Sequence, residues 1–354
     1  PPPLRAEWGV YLALLRKELL ELWQTRKALV VAVVFLLFGL TSPLMARFVS
    51  EIVKSVPGAG QFCGVSPERQ AADQANLALE DLKRAGGLKR KAIIVYTPST
   101  NGLVDPTASE AAEYVMGGDV TSVSMQYTVL PSFLSIMLSQ STSLDSGTIL
   151  FQTVRNAIDE LPVSARPKLY VYGESLGAFG SQAPFTNLGI AGLTNQADGA
   201  LWAGPPANSA YWQQISAMST SGPTWAPIVE DGSVIRFAAN EAGLAQPPSV
   251  WGPKRGVFLQ NATDAVVWWS PNLIASRPGW LNSPRGPDVP AAMQWFPLLT
   301  FELVLVDMPA AGAMPPGIGH DYLPNIGPAW VSVLSQPNWS PADTARLQVA
   351  LGAQ

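Results

Sequence analysis

Residues 168–180, KLYVYGESLGAFG, decide the fold. An apolar run of β-forming residues (Leu169, Tyr170, Val171, Tyr172) leads directly into Gly173-Glu174-Ser175-Leu176-Gly177, the G-x-S-x-G spacing of a nucleophile elbow. A serine at the tip of a sharp strand-to-helix turn presents its hydroxyl, and glycines on either side permit backbone contacts that a Cβ would block. The spacing alone is weak evidence, since at average glycine usage near 7% it arises in roughly one chain in eight of this length. The surrounding sequence has to carry the assignment.

On its N-terminal side, the elbow strand is preceded by a loop framed by Pro162 and Pro167, and before that by a helix expected over residues 144–161. Leu150, Val154 and Ile158 lie four apart in it, and Asp145 is a candidate N-cap. Further upstream, Ser66-Pro67 reads as a helix start, with Ala71, Ala75, Ala78, Leu79 and Leu82 on one face and Gly86-Gly87 as the stop. AIIVY (92–96) is a short continuous apolar run, as in a strand buried on both faces, and residues 120–127 are a second strand candidate. After the elbow a helix is expected over 176–183, followed by strands at GALWA (199–203) and GVFLQ (256–260). Strands alternating with helices imply an α/β fold, a mostly parallel sheet covered by helices on both faces. Ligands bind such sheets beyond the carboxyl ends of the strands.

The chain has one histidine, His320, in the Pro/Gly-rich loop PPGIGHDY, so any imidazole base must be that residue. Asp264 follows the strand candidate in GVFLQNATDAVV, giving the order serine, acid, histidine of an α/β-hydrolase triad. Asp288, Asp307 and Asp321 are rival acids; Asp321 adjoins His320, where side chains seldom face each other well. The chemistry needs all three groups. A serine hydroxyl is a weak nucleophile, the imidazole takes its proton and returns it to the leaving group, and the carboxylate holds the ring's tautomer. The oxyanion needs donors, for which the candidates are the N–H of Leu176 and one from the loop at 99–102, with Thr100 and Asn101 foremost. The plainer alternatives are a turn serine and a surface-loop histidine. One cysteine and one histidine leave no multi-histidine or cysteine-rich metal site, and the reading calls for no cofactor.

Charged residues are only 14% of the 354, apolar residues 47%, and there are 12 tryptophans, ten of them between Trp202 and Trp339. Such density usually means core, with an apolar cleft or a membrane-facing rim as the alternative. Residues 205–246, rich in Ser, Pro and Trp, are a candidate cap over the site. The net charge of −4, with no basic clustering along the sequence that would suit nucleic acid, excludes that partner.

Residues 28–46 carry no charge and are bracketed by Arg26-Lys27 and Arg47. At about 1.5 Å per residue this run is just long enough to span a hydrocarbon core of about 30 Å, with a signal peptide or a buried core helix as alternatives. Residues 8–23 form an amphipathic stretch suited to a membrane surface. Arg5, Arg16, Lys17, Arg26 and Lys27 precede the span, which places the N-terminus in the cytoplasm and the remainder outside it. A linker at residues 57–60 divides the chain into an anchor (1–60) and a catalytic part (61–354).

Residues 4–60, with LLRKELLELWQTRKALVVAVVFLLFGLTSPLMARF, resemble the first amphipathic and transmembrane helices of bacterial ABC-type export permeases. From residue 62 to 351 the chain resembles a bacterial α/β-hydrolase family common in actinobacteria. The resemblance rests on VDP (104–106), YVMGGDV (114–120), QYTVLPS (126–132), LYVYGESLGAFG (169–180), DGALWAGPP (198–206), TDAVVWWSP (263–271), RGPDVP (285–290) and PPGIGHDY (315–322). In place of that family's multi-helix membrane region stands the permease-like helix pair. The resemblance implies that Ser175, Asp264 and His320 take the triad positions. The resulting expectation is a membrane-anchored serine esterase or lipase acting on an apolar or acyl ester, with membrane lipid and a membrane protein as partners. Acyl transfer by the same triad, or a non-catalytic role in an exporter, are the alternatives.

Overall fold

The alternating elements assemble into a six-stranded sheet in which every neighbouring pair is parallel. The structure, a computed structural model, describes residues 67–99, 102–127, 140–336 and 338–352. Helix α1 (Pro67–Arg84) leads to β1 (Ala92–Thr97), α2 (Pro106–Val115) to β2 (Val120–Ser124), and α3 (Gln140–Asp159) to β3 (Lys168–Glu174). Then come α4 (Leu176–Ser181), α5 (Gly189–Gln196), β4 (Gly199–Ala203) and α6 (Ala210–Ser216). A small antiparallel pair, β5 (Ser219–Ser221) and β6 (Ile228–Val229), precedes β7 (Ile235–Ala238), α7 (Glu241–Leu244) and β8 (Arg255–Leu259). The described chain closes with α8 (Ala265–Trp268), α9 (Leu299–Asp307), α10 (Leu323–Leu334) and α11 (Pro341–Ala350). In space the strands run β2-β1-β3-β4-β8-β7, which puts the elbow strand β3 in the interior of the sheet.

Side chains alternate across the strands and feed two cores. Ile93, Val95, Leu169 and Val171 pack with Ala75 and Leu82 of α1 and with Leu150, Phe151 and Val154 of α3. Their neighbours Ile94, Tyr96, Tyr170 and Tyr172 face the other way, toward Ala108, Ala111 and Ala112 of α2 and Ile326, Ala329 and Trp330 of α10. Helices thus cover both faces, and the continuous apolar runs in the sequence follow from burial on both sides. Helix α2 begins where Asp105 accepts the Ala108 N–H at 2.7 Å, with Pro106 at the first helical position.

Three expectations change. Helix α3 starts at Gln140, so Asp145 lies within it and is not its cap. Its first turns are held by packing on the elbow helix. Ser143 Oγ donates to the Leu176 carbonyl at 3.1 Å, and a Cβ on Gly147 would fall 2.3 Å from the Gly180 carbonyl oxygen. Residues 205–246 do not form a cap as a unit, because α6 buries Tyr211, Trp212 and Ile215 in the core and β7 is an edge strand of the main sheet. The signal for β7 is hidden by Arg236, which is buried because its guanidinium donates to the carbonyls of Gly232, Leu244 and Ser249 and lies 4.0 Å over the Trp251 ring. The strand expected over 120–127 stops at Ser124.

Half of the tryptophans after residue 200 are core, and the other half are partly buried. Trp202, Trp212, Trp268, Trp280 and Trp330 are buried, and none of the ten indoles after residue 200 is fully exposed. Phe258 sits at the centre of this aromatic layer, stacked on Phe237 with ring centroids 4.4 Å apart and 4.6 Å from Trp202. The charge-free run at 28–46 lies outside the described residues; among those described, no helix is long and apolar enough to cross a membrane.

Phe258→Ala should therefore lower the unfolding free energy of the chain by about 3–5 kcal/mol, measured by chemical denaturation. A loss under about 1 kcal/mol would mean that this aromatic layer is not the core of the sheet.

Candidate active site

The elbow is built by close backbone approach. Ser175 joins β3 to α4 with φ 55° and ψ −125°, a conformation that side-chain-bearing residues rarely adopt. A Cβ on Gly173 would lie 2.3 Å from the Gly177 carbonyl oxygen, and one on Gly177 would lie 2.1 Å from that of Thr97. The two glycines are required by these contacts, in keeping with the elbow spacing. Ser175 is 8% exposed at the carboxyl end of the sheet, and its N–H donates to the Ala203 carbonyl at 2.9 Å.

Asp264 lies shortly after β8 and is fully buried as the N-cap of α8. One carboxylate oxygen, Oδ1, accepts the N–H groups of Val266 at 2.8 Å and Val267 at 3.4 Å. The other, Oδ2, is 2.7 Å from His320 Nδ1 and accepts the Tyr322 hydroxyl at 2.5 Å. Asp264 is thus the acid that meets the histidine. Asp288 instead accepts the Thr263 N–H at 3.0 Å and the Thr263 hydroxyl at 2.5 Å, pinning the residue before Asp264. Asp321 accepts the Leu323 N–H at 3.0 Å.

The histidine loop is tied down on several sides. The His320 N–H donates to the Ala311 carbonyl at 3.0 Å, and Asn261 Nδ2 donates to the Gly319 carbonyl at 2.9 Å. The ring rests on the backbone of Gly204, where a Cβ would fall 2.3 Å from His320 Cε1. Gly204 follows Ala203, the residue that holds the Ser175 amide, so the end of β4 brings elbow and histidine loop to one place. With Nδ1 committed to the carboxylate, Nε2 is left as the proton acceptor. The imidazole is 13% exposed.

Leu176 is the first residue of α4, where a backbone N–H has no partner within the helix, the position expected of an oxyanion donor. Thr100 and Asn101 lie outside the described residues. Beside His320 a cavity of about 320 Å³ is lined by Asp105, Glu174, Asp321, Tyr172 and Tyr322 among others, and by no indole. None of the tryptophans among the described residues therefore forms an apolar rim to this cavity. Among the described residues no cluster of His, Cys, Asp and Glu is fit to hold a metal ion.

Two residues of this site were not singled out from sequence. Tyr322 shares Oδ2 of Asp264 with the histidine, and burial pushes its hydroxyl well above the ordinary tyrosine value. Glu174, the variable residue of the G-x-S-x-G pattern, accepts the Tyr172 hydroxyl at 3.3 Å and shares the cavity with His320. Burial lifts Glu174 to about 7, against the opposing pull of His320. Burial disfavours a charged His320, yet Asp264, through its charge and hydrogen bond, and then Glu174 and Asp321 outweigh it and raise the ring to about 9. The sequence signal for both residues was their place inside the motifs GESLG and GHDY.

A search of solved structures finds partial likeness to a Trichoderma reesei cutinase in complex with a C11Y4 phosphonate inhibitor, at 16% identity over 47% of this chain and 75% of that one, TM-score 0.26. An acetylxylan esterase matches at 13% identity over 49% of this chain and 84% of its own, TM-score 0.27. Likeness this shallow carries no functional argument. No curated protein matches the chain in sequence. The model of an alpha/beta-hydrolase family matches residues 61–347, and the chain, with the parallel sheet and elbow described above, belongs to that family.

Proposed function

We propose that this chain is a serine hydrolase that cleaves carboxylic esters, with Ser175 as nucleophile, His320 as general base and Asp264 as the group that orients the ring. The observation that carries the reading is the 2.7 Å contact between Asp264 Oδ2 and Nδ1 of the chain's single histidine, whose ring lies against the strand end that holds the Ser175 amide. In this mechanism Nε2 takes the Ser175 proton as Oγ attacks the ester carbonyl. The oxyanion is received by the Leu176 N–H and by a donor from the 99–102 loop, for which Thr100 and Asn101 are proposed. The imidazolium then protonates the departing alcohol, and water enters by the reverse sequence to release the acid.

The proposed substrate is an acyl or lipid ester, and its support is the charge-free run at 28–46, which would anchor the enzyme in a membrane. In this arrangement the N-terminus is cytoplasmic and the hydrolase part extracytoplasmic, with membrane lipid and a membrane protein as partners. The motif series quoted above supports a bacterial member of the family, and the sequence of residues 4–60 supports a permease-like origin for the anchor.

A fluorophosphonate probe should label the full chain, and labelling should vanish in Ser175→Ala. A folded, unlabelled wild type would overturn the reading. In His320→Ala, kcat on a p-nitrophenyl ester should fall by at least about 10³-fold, with thermal stability retained. Added methanol separates the outcomes of the second step, because a methyl ester as the main product would mark an acyltransferase.

The pH dependence follows from the charges around His320. The base works only when neutral, and its raised value means that kcat/KM falls as pH drops through a limb above the ordinary histidine range. Glu174→Gln removes one of the anions that hold the proton on the ring. The limb should then move to lower pH, by on the order of one pH unit. An unmoved limb in an active variant would show that Glu174 does not act on His320.

A further inference from the structure

At the opposite end of the sheet the fold gathers positive charge. Between residues 66 and 354 the sequence has 15 Lys and Arg against 22 Asp and Glu, so this part of the chain is acidic. Yet one groove of about 1040 Å³ is lined by Lys83, Lys89, Arg90, Lys91, Arg166 and Lys168 and by no carboxylate. Three separate segments supply these cations: the last turn of α1, the turn before β1 and the turn before β3. Lys168 and Ala92 are partners in register, so the groove lies at the amino ends of β1 and β3. The elbow is at the carboxyl ends, about 20 Å away at ~3.3 Å per strand residue.

Lys91 is 3.6 Å from Asp119, and Arg166 is 3.1 Å from Asp159. Among the described residues, Lys83, Lys89, Arg90 and Lys168 make no ion pair, although all four are exposed. Like charges held together this way repel one another, and an acidic protein has ample carboxylates with which to relieve them. An anion of high local charge relieves them equally well. The floor of the groove is apolar, made by Leu88, Met116, Leu161 and Leu334. Val163, the sequence neighbour of the lining residue Ser164, is 80% exposed.

We propose that this groove docks an anionic membrane lipid, with the cations on the phosphate-bearing headgroup and the apolar floor and Val163 against the upper part of the acyl chains. Charge complementarity calls for an anion. The apolar floor and the protruding valine favour a lipid over inorganic phosphate, which has nothing to place there, and a polybasic rim beside exposed apolar residues is the pattern that binds anionic bilayers. The inference is independent of the catalytic reading and holds whether or not Ser175 is a nucleophile.

The test uses the full chain in neutral detergent and isothermal titration with dihexanoyl phosphatidylglycerol, dihexanoyl phosphatidylcholine and inorganic phosphate as separate ligands. Phosphatidylglycerol should bind at least about tenfold more tightly than either of the others, and more weakly as salt is raised. The combined variant Lys89→Glu, Arg90→Glu and Lys168→Glu should lose at least about tenfold in that affinity, whereas Arg346→Glu, on the surface elsewhere, should not. The milder set Lys89→Gln, Arg90→Gln and Lys168→Gln gives the same comparison if the reversed one does not fold. Equal binding of the two lipids, phosphate binding as tight as phosphatidylglycerol, or full affinity in a folded groove variant would each overturn the proposal.

Discussion

There is no room for a side chain at Gly173 or Gly177. Carbonyl oxygens of residues 177 and 97 stand where their Cβ atoms would be, within 2.3 Å. This contact lets α4 fold back against β3 and the end of β1 at once, and it leaves Ser175 between them with a positive φ. The cost of that backbone conformation, on the order of 1–3 kcal/mol, is borne by an interior strand hydrogen-bonded on both sides. Much else depends on the same packing. Helix α3 begins early because Ser143 and Gly147 fit against α4, and β4 is set beside β3 so that Ala203 accepts the Ser175 amide.

Around Asp264 the constraint is electrostatic. A fully buried carboxylate is tolerated only where its oxygens are satisfied, and here two backbone N–H groups serve Oδ1 while an imidazole and a tyrosine hydroxyl serve Oδ2. The first pair comes from the start of α8, whose N-terminus favours negative charge. The second pair comes from one short loop, His320 and Tyr322, which Asn261 and Ala311 hold in place. Asp288 contributes one step further out by fixing Thr263. The carboxylate is thus oriented by the fold before any substrate arrives, which is the condition under which such a group does useful electrostatic work.

The two ends of the sheet differ in charge. Asp105, Glu174 and Asp321 border the cavity at the carboxyl end with His320, and six cations border the groove at the amino end. A parallel sheet makes this separation possible, because every strand starts at one edge and finishes at the other. Asp264 first, and then Glu174 and Asp321, hold His320 above its ordinary value, so the acidic surroundings at this end shape the imidazole's chemistry.

The parallel α/β architecture is legible in the linear chain, since strands buried on both faces read as unbroken apolar runs such as AIIVY and GALWA. So are the elbow serine and the order of acid and histidine, because a lone histidine leaves no other choice for an imidazole. Linear order does not separate Asp264 from Asp288, Asp307 and Asp321, since it is silent on which carboxylate faces the ring. That was decided by the cap of α8 and the closing of the histidine loop. Strand β7 emerges only on folding, because its buried Arg236 breaks the apolar pattern and is satisfied by the carbonyls of Leu244 and Ser249 in the segment that follows the strand. The roles of Glu174 and Tyr322, and the basic groove assembled from residues 83–91 and 166–168, were likewise decided in three dimensions. They depend on which segments a sheet sets side by side, and linear spacing does not encode that.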